Sequence, residues 1–121
     1  MINKKTLVIG GSTNPHRFSH KAIRKLRNYG YEVVSVGGRD GIVEDVSITS
    51  DKPQFTDIHT VTMYIGARHQ PPMYDYILRL RPKRIIFNPG TENSELEKLA
   101  GEKGIEIVIN CTLVMLNEGM Y

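Results

Sequence analysis

Leu7-Val8-Ile9-Gly10-Gly11-Ser12-Thr13-Asn14-Pro15-His16-Arg17-Phe18-Ser19 decides how this chain folds. The short β-branched run Leu7 to Ile9, cut off by two glycines, reads as a buried parallel strand rather than a helix. From Ser19 to Tyr29 the apolar residues Ala22, Ile23, Leu26 and Tyr29 recur at helical spacing, and Lys21, Arg24, Lys25 and Arg27 fill the other face. Gly30 closes that helix. Gly10 to Ser19 is therefore a strand-to-helix loop, with Pro15 delaying the helix start toward Ser19. Small residues bring backbone close to an anion there, and the helix directs its positive end to the same point.

The same punctuation continues outward. Tyr31 to Val36 is valine-rich and stops at Gly37-Gly38; Ile58 to Ile65 stops at Gly66; Arg84 to Phe87 stops at Asn88-Pro89-Gly90; Ile105 to Ile109 is the last clear strand. Met73, Tyr76, Ile77 and Leu80 mark a second helix face that Pro82 terminates. Ser94 and Glu97 form a capping box for a third helix, through Leu96, Leu99 and Ala100, closed by Gly104. Arg39 to Asp57 is polar, with Val43, Val46 and Ile48 indicating only a short edge strand. Strands alternating with helices predict an α/β fold: a three-layer, doubly wound, mostly parallel sheet, Rossmann-like, forming a single domain over residues 1–121. Loops after successive strands share one sheet edge, so Gly10–Ser19, Gly37–Arg39, Gly66–Gln70 and Asn88–Glu92 should converge.

The dinucleotide fingerprint requires glycine at its first, third and sixth positions, which here are Gly10, Ser12 and Pro15. Only the first is met. The acid that would hold a ribose 2′-hydroxyl is also missing after the second strand, where Arg39 instead favours a phosphate.

These segments together resemble the small stand-alone coenzyme A-binding proteins, which share the fold of the CoA-binding domain in the succinyl-CoA synthetase α subunit. The resemblance covers nearly the whole chain. It rests on Gly10 to Ser19, on Tyr31-Glu32-Val33-Val34 with Val36-Gly37, on Lys83 to Asn93, and on Cys111-Thr112-Leu113-Val114-Met115-Leu116. It implies that Ser12 and Arg17 hold nucleotide phosphates, that Arg39 meets the phosphorylated ribose, and that Ile65, Asn88 and Gly90 flank adenine and pantetheine. The candidate cofactor-binding set is Gly10, Gly11, Ser12, Thr13, Arg17, Ser19, Gly37, Arg39, Ile65, Asn88 and Gly90, and the cofactor is coenzyme A or an acyl-CoA. The family commonly has alanine in place of Gly11, a change expected to alter the loop only slightly. Ile42 to Phe55 matches no family pattern. The phosphohistidine domain and partner subunit of the synthetase have no counterpart here, so ligase activity is not carried over.

Composition narrows the remaining classes. Sixteen Lys plus Arg against thirteen Asp plus Glu gives +3, a bias toward anionic ligands but too weak for nucleic acid. The basic face of the first helix lacks interleaved aromatics and reads as solvated. No apolar run approaches the ~20 residues of a membrane span or the ~7 to 15 of a signal peptide core, so a soluble chain is expected. Cys111, the single cysteine, agrees with a reducing cytoplasm and reads as inert packing. His16, His20, His59 and His69 lack zinc-site spacing; His16 or His69 could serve as a base, yet no paired nucleophile accompanies either. Two rival readings remain: an NAD(P)-linked oxidoreductase with Arg39 on a 2′-phosphate, and an interaction module using the apolar stretch Leu113 to Leu116 for a homodimer or a protein partner.

Overall fold

The computed structural model describes residues 3–121; of the domain expected over 1–121, only Met1 and Ile2 lie outside the described residues. The chain runs β1 (Thr6–Ile9), α1 (Phe18–Asn28), β2 (Val33–Val36), β3 (Gly41–Val43), β4 (Val46–Thr49), β5 (Thr60–Met63), α2 (Tyr74–Leu80), β6 (Arg84–Phe87), α3 (Ser94–Glu102), β7 (Glu106–Ile109) and α4 (Thr112–Asn117). Two 3-10 turns, Ala67–His69 and Pro71–Met73, lead into α2.

All seven strands form one sheet, ordered β3-β4-β2-β1-β5-β6-β7. Every pairing is parallel except β3 with β4. The chain winds from β1 outward through β2 to the β3–β4 hairpin, then returns to β5 on the other side of β1. That reversal is the topological switch point, and it places the ends of β1 and β5 side by side. Ile9 stands opposite Met63 in the register, so both following loops leave at one level.

Because both faces are covered, central strands are buried almost throughout rather than alternating between core and solvent, and their polar residues Thr6, Ser35, Thr60 and Thr62 are buried with the rest. Leu7, Ile9, Val61, Ile85 and Phe87 pack with Tyr76, Ile77 and Leu80 of α2 and with Leu96 and Ala100 of α3. Val8 and Ile86 point to the other face, against Ile23 and Leu26 of α1 and Met115 and Leu116 of α4. The three layers and the doubly wound path are those the sequence predicts.

Several boundaries differ. α1 begins at Phe18, one residue before the expected start. The region Arg39–Asp57 holds a β3–β4 hairpin, with β4 joining β2 in parallel. The cap of α3 is Asn93 rather than Ser94: the Asn93 side chain accepts from the Glu95 and Leu96 N–H groups, and Glu97 reaches back to the Asn93 N–H at 2.9 Å. Leu113 to Leu116 belongs to α4, and Met115 and Leu116 are buried in the chain's own core, so they offer no surface for self-association.

Candidate functional site

At the switch point, the loops after β1, β5 and β6 enclose a cleft of about 630 Å³. Gly10, Gly11, Ser12, Arg17, Ser19, Ile65 and Gly90 of the predicted set line it, joined by His16, Phe18, Gly38, Tyr64, Gly66, Pro89 and Thr91. Thr13, Gly37, Arg39 and Asn88 lie outside that lining. A larger cleft, about 820 Å³, opens at the opposite sheet edge beside Arg79, Arg81, Lys83 and Lys103. Of these, Arg79 and Arg81 at the end of α2 and Lys103 at the end of α3 complement the negative dipole ends, and an anion there would face two sets of helix carbonyls.

The glycines of the first loop are demanded by close approach. Gly10 has φ +96°, and a Cβ on it would lie 2.9 Å from Cγ2 of Ile65. A Cβ on Gly11 would lie 2.0 Å from Oγ of buried Ser35. Alanine therefore does not fit at Gly11 without rearrangement, contrary to the slight effect expected from the family pattern. Gly37 acts from outside the cleft, since its Cβ would stand 2.3 Å from the Gly11 carbonyl oxygen. Thr13 packs its Cγ2 against Gly41.

Gly10 and Gly11 both donate their N–H groups to the Val36 carbonyl, at 2.8 and 3.1 Å. They bring the chain close but are spent as donors. The unspent donors are the N–H groups of Ser12, Thr13, Phe18, Ser19 and His20, none of which has a protein acceptor. α1 has no side-chain cap and no acid in its first turn, so its positive end is left uncompensated beside the cleft. The loop is shaped by its own side chains: Ser12 Oγ accepts from the Asn14 N–H, and Asn14 Oδ1 from the His16 N–H, each at 3.0 Å. Ser12 thus keeps its hydroxyl hydrogen free. Phe18, 65% exposed, stands at the mouth with the Lys21 ammonium 5.2 Å from its ring centre.

The opposite wall is braced from behind. Gln70, fully buried, donates Nε2 to the carbonyls of Ile65 (2.9 Å) and Thr91 (2.8 Å), and its Oε1 accepts from Asn93 Nδ2 at 2.9 Å. One amide thereby fixes the spacing of two loops. Asn88 is equally committed. Its Nδ2 donates to Thr62 Oγ1 and the Met63 carbonyl, and its Oδ1 accepts from the Thr112 N–H. With both amide hydrogens and its oxygen engaged inside the protein and the residue outside the cleft lining, Asn88 supports the wall rather than meeting a ligand. Tyr64 reaches inward from the cleft, its buried hydroxyl has no partner, and burial pushes its pKa upward. Arg39 is exposed just past Gly38 and, among the described residues, unpaired.

The residues that sequence reasoning missed divide by cause. Gln70 ends one of the loops expected to converge, but its burial gave no signal, because a lone polar residue in a loop is ordinarily solvated. Gly66, Pro89 and Thr91 lie within the loops expected to converge, although outside the named cofactor-binding set. Tyr64 reads as a strand residue because its strand ends only at Gly66.

The fold and site define a single-domain, Rossmann-like α/β protein with its cleft at the β1–β5 switch point. Residues 4–117 match the CoA binding domain family, and the chain belongs to that family. A crystal structure of an uncharacterized protein is 45% identical, with each chain fully covered and a TM-score of 0.96. A Thermus thermophilus protein (21% identity, 98% of this chain and 91% of that one, TM-score 0.86) and a hypothetical protein from Pyrococcus horikoshii OT3 (24%, 98% and 84%, 0.85) share the fold. No curated protein matches. Among the described residues, no helix is long and apolar enough to cross a membrane.

Proposed function

We propose that this chain binds coenzyme A, free or acylated, in the switch-point cleft through the 3′-phospho-ADP half, and that binding rather than catalysis is its activity. Membership of the CoA binding domain family supports coenzyme A in general. The observation that carries the finer reading is the set of unspent N–H groups at Ser12, Phe18, Ser19 and His20 beside the Arg17 guanidinium. That donor set fits a pyrophosphate: it is cationic, dipolar and free of nearby internal acceptors. The contact distances at Gly10 and Gly11 fit it as well, since side chains there would move the loop.

In this reading Ser12, Arg17 and Ser19 hold the pyrophosphate, and Arg39 meets the 3′-phosphate from outside the cleft. Ile65, Gly90 and Thr91 flank the remainder of the ligand. Thr13, Gly37 and Asn88 keep the walls in place. A reducing cytoplasmic setting agrees with the lone Cys111.

Calorimetric titration with CoA, dephospho-CoA, NADP, NAD and ATP tests the proposal. CoA should bind, dephospho-CoA should bind more weakly, and Arg39→Ala should abolish the difference between the two. Tighter binding of NADP would favour the oxidoreductase, and indifference to every nucleotide would leave an interaction module.

A further inference from the structure

The sheet has two outer strands, and they end it differently. β3 is three residues long, opens on Gly41 and turns directly back into β4. β7 is the bare run Glu106-Ile107-Val108-Ile109, without the proline, lysine or bulge that commonly blunts an edge. α4 does not cover it, because α4 packs back against α1.

The direction of its backbone follows from two hydrogen bonds. The Glu106 N–H donates to the Lys83 carbonyl at 3.0 Å and the Asn110 N–H to that of Phe87 at 3.3 Å. Alternation along the strand then turns Glu106, Val108 and Asn110 toward β6, and turns the N–H and C=O groups of Ile107 and Ile109 outward. On the same edge the Ile109 side chain is 53% exposed.

We propose that two copies of this chain pair through β7, antiparallel, about a two-fold axis at Val108. In that register Ile107 and the partner's Ile109 exchange both backbone hydrogen bonds, and the symmetric pair repeats the exchange. Every outward group of both edges is then bonded. Each exposed Ile109 side chain lies beside the partner's Ile107 on one face of the joined sheet. On the other face Val108 meets its own counterpart, and Glu106 stands opposite the partner's Asn110.

That last pair selects a second copy over an arbitrary strand. Asn110 Oδ1 accepts from the Cys111 N–H, which leaves its amide NH₂ without a protein partner. Among the described residues the Glu106 carboxylate has no ion pair. A donor and an acceptor, each unmatched within one chain, face each other across the axis. This symmetric arrangement is an isologous interface, closed at two copies.

Sedimentation velocity across a concentration series should show the wild-type chain at twice its own mass. Ile109→Pro removes an outward N–H that bonds nothing within one chain, so it should yield a monomer with an unchanged circular dichroism spectrum. In a Cys111→Ser background, Val108→Cys should oxidise to a covalent dimer, because facing residues of a non-hydrogen-bonded pair bring their Cα atoms to about 4.5 Å, within the range a disulfide spans. Ile107→Cys alone faces the partner's Ile109 and should crosslink poorly, but efficiently when mixed with Ile109→Cys. A monomer at every concentration would overturn the proposal, as would a dimer that survives Ile109→Pro. Equal crosslinking of the Val108→Cys and Ile107→Cys chains would overturn the register.

Discussion

A methyl group on Gly11 would sit 2.0 Å from Oγ of Ser35, the hydroxyl that donates to the Val8 carbonyl at 2.9 Å. The first loop and β2 are therefore fitted to each other atom against atom. Gly11→Ala should lower unfolding free energy by about 1–3 kcal/mol through overpacking. Ser35→Ala should cost about 0.5–1.5 kcal/mol for its hydrogen bond. Since the second change removes the atom the first collides with, the double variant should lose less than the sum in urea denaturation. Simple additivity would show that the loop relaxes elsewhere.

Gln70 holds two cleft loops through one buried amide. Gln70→Leu keeps the bulk but leaves the Ile65 and Thr91 carbonyls and the Asn93 amide without that partner, and unmet buried polar groups cost about 1–3 kcal/mol each. A clear fall in the thermal midpoint and weaker CoA binding should appear together. Unchanged affinity in a folded Gln70→Leu chain would show that loop spacing is irrelevant to the ligand.

Arg17 lines the cleft, and among the described residues it forms no ion pair. Arg17→Ala should weaken CoA binding by about 1.5–3 kcal/mol, or one to two decades in Kd, with little change in stability. The loss should shrink as salt rises, as titrations at two ionic strengths would reveal.

His59 has its pKa lowered, first by burial and then by the Arg84 charge. A depressed histidine binds its proton more readily in the unfolded chain, so its contribution is fully present above the unfolded value of about 6.5. That contribution declines as pH falls from there through the folded value. His59→Gln should flatten the stability profile between pH 7 and 5, measured by denaturant midpoints. An identical slope in the variant would assign the dependence to other groups.

Much of the architecture was legible because glycine stops apolar runs where parallel strands leave the sheet. Leu7 to Ile9 before Gly10, and Arg84 to Phe87 before Asn88, are of that kind. The β3–β4 hairpin was not, since strands of three and four residues, with Ile42 and Ser47 exposed, give too few alternations. α4 was obscured differently: its apolar residues are consecutive and it spans fewer than two turns, so no helical period can form. Ser94 fits a capping box by spacing, yet Asn93 next to it has the longer acceptor and takes both N–H groups. At the site, proximity in sequence located the first loop, whereas Gln70 and Asn88 act through partners distant in the chain. The place of Asn88 at the strand end points to a ligand contact, and only its three hydrogen bonds reveal a brace.

The bonds from Asn88 to Thr62, Met63 and Thr112 have a consequence for how a ligand is received. They tie the turn after β6 to its neighbouring strand and to the start of α4, so that side of the cleft is a fixed mould. Adjustment falls to the opposite lip, where His16, Arg17 and Phe18 are exposed. Differences in affinity between cargoes should then report atoms touched rather than protein rearranged, and the heat-capacity change on binding should scale with the apolar surface each cargo hides.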